Sequence, residues 1–338
     1  MDAMQVSRVL AAALLLAPAR PIASRVPALE RFEYSEPHMG TMFRIVLYAP
    51  DAPTAARASN TAFARVTALD NSMSDYKPTS ELMQLSARAG GPPVKVSDDL
   101  YRVLEASERL AERSDGAFDV TVGPVVRLWR RARRRHELPD PERLRREREL
   151  VGYKLLRLDP RERTAQLLKP GMLLDLGGIA KGYAAEEALA VLKQSGISSA
   201  LVAAAGDIAV GSPPPGKPGW RIAIAPLEPE SREGATESRC LVLYDAGVST
   251  SGDEEQHVDL GGVRYSHIVD PKTGMALTGR SSVTVVARDD FAADGLATAV
   301  SVLGPERGLK LIEATDGAGV LFVKETTAGV RSWQLRFP

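Results

Sequence analysis

At 338 residues, with 43 Lys and Arg set against 43 Asp and Glu, the chain can form one large domain or two ordinary ones, and no global charge draws it to nucleic acid. Its 44% apolar and 25% charged residues are those of a soluble globular protein. Cys240 is the only cysteine, which excludes an internal disulfide and a thiolate metal cluster; within the apolar run Cys240–Tyr244 a buried, inert thiol is expected.

The first segment departs from the globular pattern. Val9–Pro18 is an apolar run too short to span a bilayer, with Arg8 ahead of it and small residues around Ala23 and Ser24 behind. An export signal over 1–24 is expected, and with it a periplasmic or cell-envelope protein without a transmembrane helix in its mature part. Asp2 weakens the positive flank, so a mistaken start codon or a disordered leader is the alternative reading. The run is followed by no cysteine, and a lipoprotein route is not expected.

From 25 to 338 there is no internal repeat and no clean linker, so one composite catalytic domain is expected. Thr41–Tyr48 alternates as a strand, and Pro53–Leu69 sets Phe63, Val66 and Leu69 on one helical face. Ser97 caps a further helix with Asp98 and Asp99 in its first turn and Leu100, Val103, Leu104, Leu110 and Ala111 at core spacing; it stops near Gly116. Residues 127–150 are dense in arginine, with Arg130, Arg131, Arg133, Arg134 and Arg135 ahead of a mixed-charge helix at Pro141–Glu149. Trp129 is the one interleaved aromatic, and Glu142, Glu147 and Glu149 alternate with arginines. A solvated or mobile helical insertion, dispensable for turnover, is expected rather than a nucleic-acid surface.

Later strands are expected at Ala200–Ala204, Arg221–Ala225, Leu241–Tyr244, Val283–Ala287 and Val320–Val323, with a loop over Pro213–Gly219. Helices are separated from runs of strands more than they alternate with them. The expected class is therefore α+β, not a doubly wound parallel sheet.

Three segments carry chemistry. In Met172–Ala184, Leu173 and Leu174 read as strand, Asp175 ends it, and Gly177 and Gly178 permit close backbone approach. Lys181 adds a mobile positive charge, and a helix over Tyr183–Gln194 turns free N–H groups toward the glycines. This is a phosphate cradle or an ordinary tight strand-to-helix turn, and matches neither the Walker nor the Rossmann pattern. Asp294 and Thr298 lie four apart on an apolar helix running through Leu303, so they share a face and offer hard oxygen donors suited to Mg²⁺. The alternative is an acidic residue at a helix start and a threonine that bonds back to its own backbone. Neither histidine nor cysteine is near, and zinc is not expected.

Third, Gly247–Asp253 sets small hydroxyl residues beside glycine, which suits a phosphate-lined loop. In the following Arg264–Gly274, His267 is a candidate for proton transfer, for a hydrogen bond to phosphate or metal-bound water, or for a structural histidine bridging to Asp270. His38 precedes Met39-Gly-Thr, His136 lies in the arginine run and His257 is read in a charged loop.

Seven motifs in order carry a resemblance: His38-Met-Gly-Thr41, Ser74-Asp-Tyr-Lys-Pro-Thr-Ser80-Glu-Leu, Gly116-Ala-Phe-Asp-Val-Thr-Val-Gly-Pro124, Asp175-Leu-Gly-Gly-Ile-Ala-Lys-Gly182, Thr250-Ser-Gly252, Tyr265-Ser-His-Ile-Val-Asp-Pro271, and Ala293-Asp294 with Thr298. Together they resemble the ApbE-type flavin transferases, the FAD:protein FMN transferases. The resemblance implies an α+β, T-fold-related arrangement of mixed and antiparallel sheets with flanking helices. It also implies an enzyme that uses Mg²⁺, takes FAD as substrate, joins FMN through a phosphoester to a Thr or Ser of an acceptor flavoprotein, and releases AMP.

By the same resemblance, Asp294, Thr298 and the Gly178 carbonyl would hold Mg²⁺. Lys181 would neutralise phosphate, and Met39, Tyr76, Ala117, Phe118, Asp119, Asp175 and Ile268 would line the FAD site. His267 would receive the acceptor's proton. Where the family shows Asn-x-Gly-Gly-Asp, this chain has Ala203-Ala-Ala-Gly-Asp207, which puts that strand end in doubt. FAD hydrolysis to FMN and AMP by the same site, and a non-catalytic FAD carrier, are the competing readings.

Overall fold

The computed structural model describes residues 28–225, 227, 239–252 and 256–338, so the segment expected to be an export signal lies outside it. A hairpin opens the described chain, β1 (Glu30–His38) and β2 (Thr41–Ala49), turned by Met39 and Gly40, both at positive φ. Then come α1 (Ala52–Met73), α2 (Glu81–Ala87), β3 (Val94–Lys95), α3 (Asp98–Arg113), α4 (Gly123–Arg135) and α5 (Pro141–Arg148). A small hairpin, β4 (Leu156–Asp159) and β5 (Thr164–Leu167), precedes α6 (Ala180–Gln194). Strands β6 (Ala200–Ala204), β7 (Asp207–Val210), β8 (Trp220–Ile224), β9 (Arg239–Leu243), β10 (Ala246–Gly252), β11 (His257–Leu260), β12 (Val263–Val269), β13 (Ala276–Thr278) and β14 (Ser281–Ala287) follow. The chain closes with α7 (Asp290–Glu313), β15 (Gly319–Thr326) and β16 (Gly329–Leu335).

Eight strands form one sheet in the order β1-β2-β6-β7-β10-β14-β15-β16, with every neighbouring pair antiparallel. The α+β expectation is met. Buried side chains of β2 (Phe43, Ile45, Leu47) and β14 (Val283, Val285) share one core with α1, α6 and α7. Close packing of α6 on α7 depends on Gly182, where a Cβ would meet the Asp290 carbonyl oxygen at 2.3 Å. Helix α7 is apolar enough to sit in that core, and it kinks at Gly304-Pro305, where the chain leaves helical geometry.

On the opposite face, the β8–β9 hairpin covers β6, β7 and β10 through Trp220, Ile222, Ile224, Leu241 and Leu243. This alternation corrects the expectation for Cys240. Leu241 and Leu243 point inward, so Cys240 points outward and is exposed.

Four other expectations change. Leu173 and Leu174 do not form a strand; Leu173 makes an isolated bridge to Val122, where Gly123 lets the two backbones approach. Ala246–Gly252 is a strand in mid-sheet, not a loop, because Val248 alternates into an apolar face and Ser249 is buried; Asp253 lies outside the described residues. His257 opens β11, in register with Ser266, so it does not lie in a loop.

The arginine-dense segment also divides. Helix α5 buries nothing, but α4 buries Val125, Leu128, Trp129 and Ala132, and the Trp129 indole N–H donates to the Gly274 carbonyl at 2.8 Å.

Candidate active site

One cleft of about 630 Å³ lies between the β1–β2 turn, α4, the turn before α6, the β6–β7 turn, β12 and α7. Met39, Tyr76, Ala117, Phe118, Asp119, Asp175, Gly178, Lys181, His267, Ile268, Asp294 and Thr298 all line it. The structure therefore brings every expected site residue together from segments as far apart in the chain as Met39 and Thr298.

At the floor, the first turn of α6 meets α7. Thr298 Oγ1 lies 3.5 Å from the Gly178 carbonyl oxygen, and a Cβ at Gly178 would stand 2.8 Å from that hydroxyl. Thr298 thus turns toward Gly178 instead of its own helix. Asp294 is buried and its Oδ2 accepts from the Gly182 N–H at 3.0 Å. Helix α6 starts at Ala180, three residues earlier than expected, and its first amides are already engaged: Ala180 N–H donates to the Leu176 carbonyl at 2.9 Å. The helix end is less of a free anion site than the sequence suggests.

Lys181 is not mobile. Its Nζ lies 2.9 Å from Asp207, 3.7 Å from Asp294 and 3.0 Å from the Gly177 carbonyl. Burial works against its charge, but Asp207 and then Asp294 outweigh that and hold its pKa above the ordinary lysine range. Burial first, and the neighbouring Asp207 charge next, push Asp294 up to about 7. Asp290, one turn earlier, is fully buried with neither carboxylate oxygen hydrogen-bonded, and burial, Asp207 and Asp294 hold it well above the usual range.

Three buried carboxylates thus share one ammonium. No group of three His, Cys, Asp or Glu side chains among the described residues forms a ready metal cage. The donor set is instead one carboxylate, one hydroxyl and one carbonyl in a floor with excess negative charge. It fits a hard divalent cation that completes its shell with water and phosphate, as Mg²⁺ does.

Tyr76 is 66% exposed, and the Arg130 guanidinium lies 4.6 Å from its ring centre. Arg130 also pairs with Asp75 and, at 2.8 Å, with Asp175. The expectation that the arginine run is only a solvated face fails here: α4 turns Trp129, Arg130 and Arg133 to the cleft. Asp175 is tied further by the Gly177 N–H at 2.8 Å. Asp119 is buried, accepts from the Thr121 amide (2.8 Å) and hydroxyl (2.7 Å), and is raised by burial.

His267 faces the cleft, and its Nδ1 lies 3.2 Å from the Gln256 carbonyl oxygen. A carbonyl only accepts, so Nδ1 carries the proton and Nε2 is left as an acceptor. His267 keeps exposed surface, yet desolvation within the cleft, and then Lys181 and Arg133, lower its pKa to about 4 against the opposing Gln256 bond. Asp270 bonds the Lys272 amide instead, and no His267–Asp270 bridge forms.

Sequence reasoning missed Arg130, Asp75 and Asp207 as parts of the site. Asp75 sits inside the motif that begins at Ser74, and Asp207 ends the altered Ala203–Asp207 segment, which was the available signal. Asp207 joins Lys181 to Ser249, whose hydroxyl donates to it at 2.6 Å. Of the altered segment, Ala205, Gly206 and Asp207 line the cleft, whereas Ala203 belongs to the apolar cluster that holds Val46 and Leu201. Ala205 stands at φ +56, the left-handed region, in the position of a family glycine.

The ApbE family model matches residues 39–322. The FAD:protein FMN transferase of Klebsiella pneumoniae (strain 342) is 32% identical over 301 residues, covering 87% of this chain and 85% of its own. That of Vibrio cholerae (strain O395) is 32% identical over 309 residues, 90% of each chain. Among solved structures, the flavin transferase ApbE from Vibrio cholerae superposes with a TM-score of 0.80 at 30% identity, covering 91% of this chain and 98% of that one. The apo form of Pseudomonas stutzeri flavinyl transferase ApbE gives 0.80 at 29% identity, covering 92% and 96%. With a family match across most of its length and a cleft built from the family's motifs, the chain is a member of the ApbE family.

Proposed function

We propose that this chain is an FAD:protein FMN transferase that moves FMN from FAD onto a Thr or Ser hydroxyl of an acceptor flavoprotein. The observation that carries the reading is the convergence of its site residues on one cleft, with Gly178, Asp294 and Thr298 at the floor. A cleft of about 630 Å³ is of a size for a dinucleotide. Residues 25–338 act as one catalytic unit, because the lining comes from both halves of the chain.

In the reaction the acceptor oxygen bonds to the FMN phosphorus, the bond to the AMP oxygen breaks, and AMP leaves with that electron pair. Mg²⁺, held by Asp294, Thr298 and the Gly178 carbonyl, would supply charge neutralisation at the pyrophosphate. Tyr76, Met39 and Phe118 give the nucleotide its apolar walls. His267 Nε2 is the acceptor for the proton of the attacking hydroxyl. Lys181 acts mainly through Asp207 and Asp294, fixing the floor to which phosphate binds.

Export is proposed from the Val9–Pro18 run, which places the reaction in the periplasm or cell envelope. Among the described residues no helix is long and apolar enough to cross a membrane. To test the activity, the purified chain is incubated with FAD, Mg²⁺ and a candidate acceptor. The expected result is a covalently fluorescent acceptor band on a denaturing gel, with AMP released. AMP and free FMN without that band would mark a hydrolase, and unchanged bound FAD a carrier.

A further inference from the structure

We propose that Arg130 is a positioning residue for FAD, holding the Tyr76 ring and the Asp175 turn in a fixed relation before the nucleotide arrives. The inference rests on the flavin-transferase reading and adds a residue to it. Arg130 projects from α4 into a gap between two separate loops. One is the Ser74–Ser80 connection between α1 and α2, which carries Asp75 and Tyr76; the other is the turn that carries Asp175 and leads to the glycine pair.

All three charged side chains are largely sequestered, with 22% of Arg130, 18% of Asp75 and 10% of Asp175 exposed. A planar guanidinium can serve two carboxylates along its edge and an aromatic ring on its face at the same time; an ammonium cannot. Asp175 passes the constraint on through the Gly177 N–H, so α4 is linked to the turn containing Gly178. Tyr76 remains 66% exposed, which leaves ring surface free for a flavin or adenine ring.

Without Arg130, Asp75 and Asp175 would face each other as like charges, and Tyr76 would be free on an exposed loop. The nucleotide would then have to order that loop as it binds. Such a loss falls equally on ground state and transition state, so it raises KM for FAD and leaves kcat nearly unchanged.

The test compares the wild-type full-length chain with Arg130→Ala, Arg130→Lys, Tyr76→Leu and the double variant Arg130→Ala/Tyr76→Leu. FAD binding is followed by flavin fluorescence, turnover by AMP release, and folding by thermal unfolding. Arg130→Ala is expected to raise KM by about ten-fold, with kcat held within about three-fold. In the Tyr76→Leu background the same change should cost much less, because the ring it positions is gone.

Arg130→Lys should keep the thermal stability and recover only part of the affinity; if Arg130→Ala does not fold, this variant decides alone. Full recovery of KM by lysine, an unchanged KM, or equal losses in both Tyr76 backgrounds would overturn the proposal. A wild-type chain that binds no FAD would overturn the flavin reading itself, and this inference with it.

Discussion

Lys181 Nζ lies 2.9 Å from Asp207 Oδ2, so this cation at the cleft floor is already bound to a buried protein carboxylate. It serves as the internal counter-charge for Asp207, Asp290 and Asp294. Replacing it by Lys181→Met should leave those carboxylates uncompensated and destabilise the fold by about 3 kcal/mol. Urea unfolding at neutral pH measures this. Added Mg²⁺ should restore part of the loss by binding only the folded floor. Stability that is unchanged with and without Mg²⁺ would show that the lysine is not the counter-charge.

The metal assignment is tested without disturbing that charge balance. Thr298→Val keeps the shape of the side chain and removes its oxygen; Gly178→Ala drives a methyl to 2.8 Å from the same oxygen and displaces it. Both should raise the Mg²⁺ concentration for half-maximal turnover on the order of ten-fold or more. Fold and FAD affinity should be largely kept. If Mg²⁺ titrations of both variants overlay the wild type, the threonine hydroxyl and glycine carbonyl are not metal ligands.

How legible the site was depended on the range of the interaction. Asp294 and Thr298 announce a shared face by their spacing, and the helix and strand spans at Pro53–Leu69, Ala200–Ala204 and Val283–Ala287 lie within or on observed elements. The role of Arg130 was not visible, because the carboxylates that bury it lie 55 and 45 residues away. The same holds for the Lys181–Asp207 pair. Strand β1 was missed because its solvent-facing residues, Glu33 and Ser35 among them, dilute the alternation of Phe32 and Tyr34, the side that packs on the core. Cys240 was misplaced because a short apolar run does not say which of its two faces is inward.

His267 gives a prediction in pH. Its folded pKa of about 4 lies below the ordinary histidine value, so Nε2 is unprotonated through the neutral range and loses its acceptor role only in acid. If it takes the proton in transfer, kcat should fall as pH drops through about 4, with no separate inflection near the ordinary value of about 6.5. His267→Gln should lower kcat by about a hundred-fold and remove that acid limb. A profile that inflects near 6.5, or one that is unchanged in His267→Gln, would assign the proton to another group.

Glu108 on α3 gives a stability prediction away from the cleft. Burial first, and Glu112 and Glu105 on the same helix next, raise its pKa from 4.5 to about 7. The folded state therefore holds this proton more tightly than the unfolded chain. The stability it contributes is complete below about pH 4.5 and is lost as pH rises through about 7. Glu108→Gln, neutral at every pH, should unfold at a higher temperature than the wild type at pH 8 and gain little at pH 4. Equal gains at both values would place the cause in packing and not in charge.

Ala205 tests a departure from the family pattern within the cleft lining. It turns β6 into β7 at φ +56, a conformation that costs a residue with a Cβ about 1 kcal/mol and glycine almost nothing. Glycine also widens the unfolded ensemble, which takes back about 0.4–1 kcal/mol. Ala205→Gly should therefore be neutral or stabilising by up to about 0.6 kcal/mol, the opposite of an ordinary alanine-to-glycine change. Gly206 allows no such freedom, since a Cβ there would meet the Thr250 carbonyl oxygen at 2.6 Å, and Gly206→Ala should destabilise and displace Asp207 from Lys181. Denaturant unfolding of the two variants separates these effects. A loss of about 1 kcal/mol in Ala205→Gly would mean that the strain at this turn is already relieved by its surroundings.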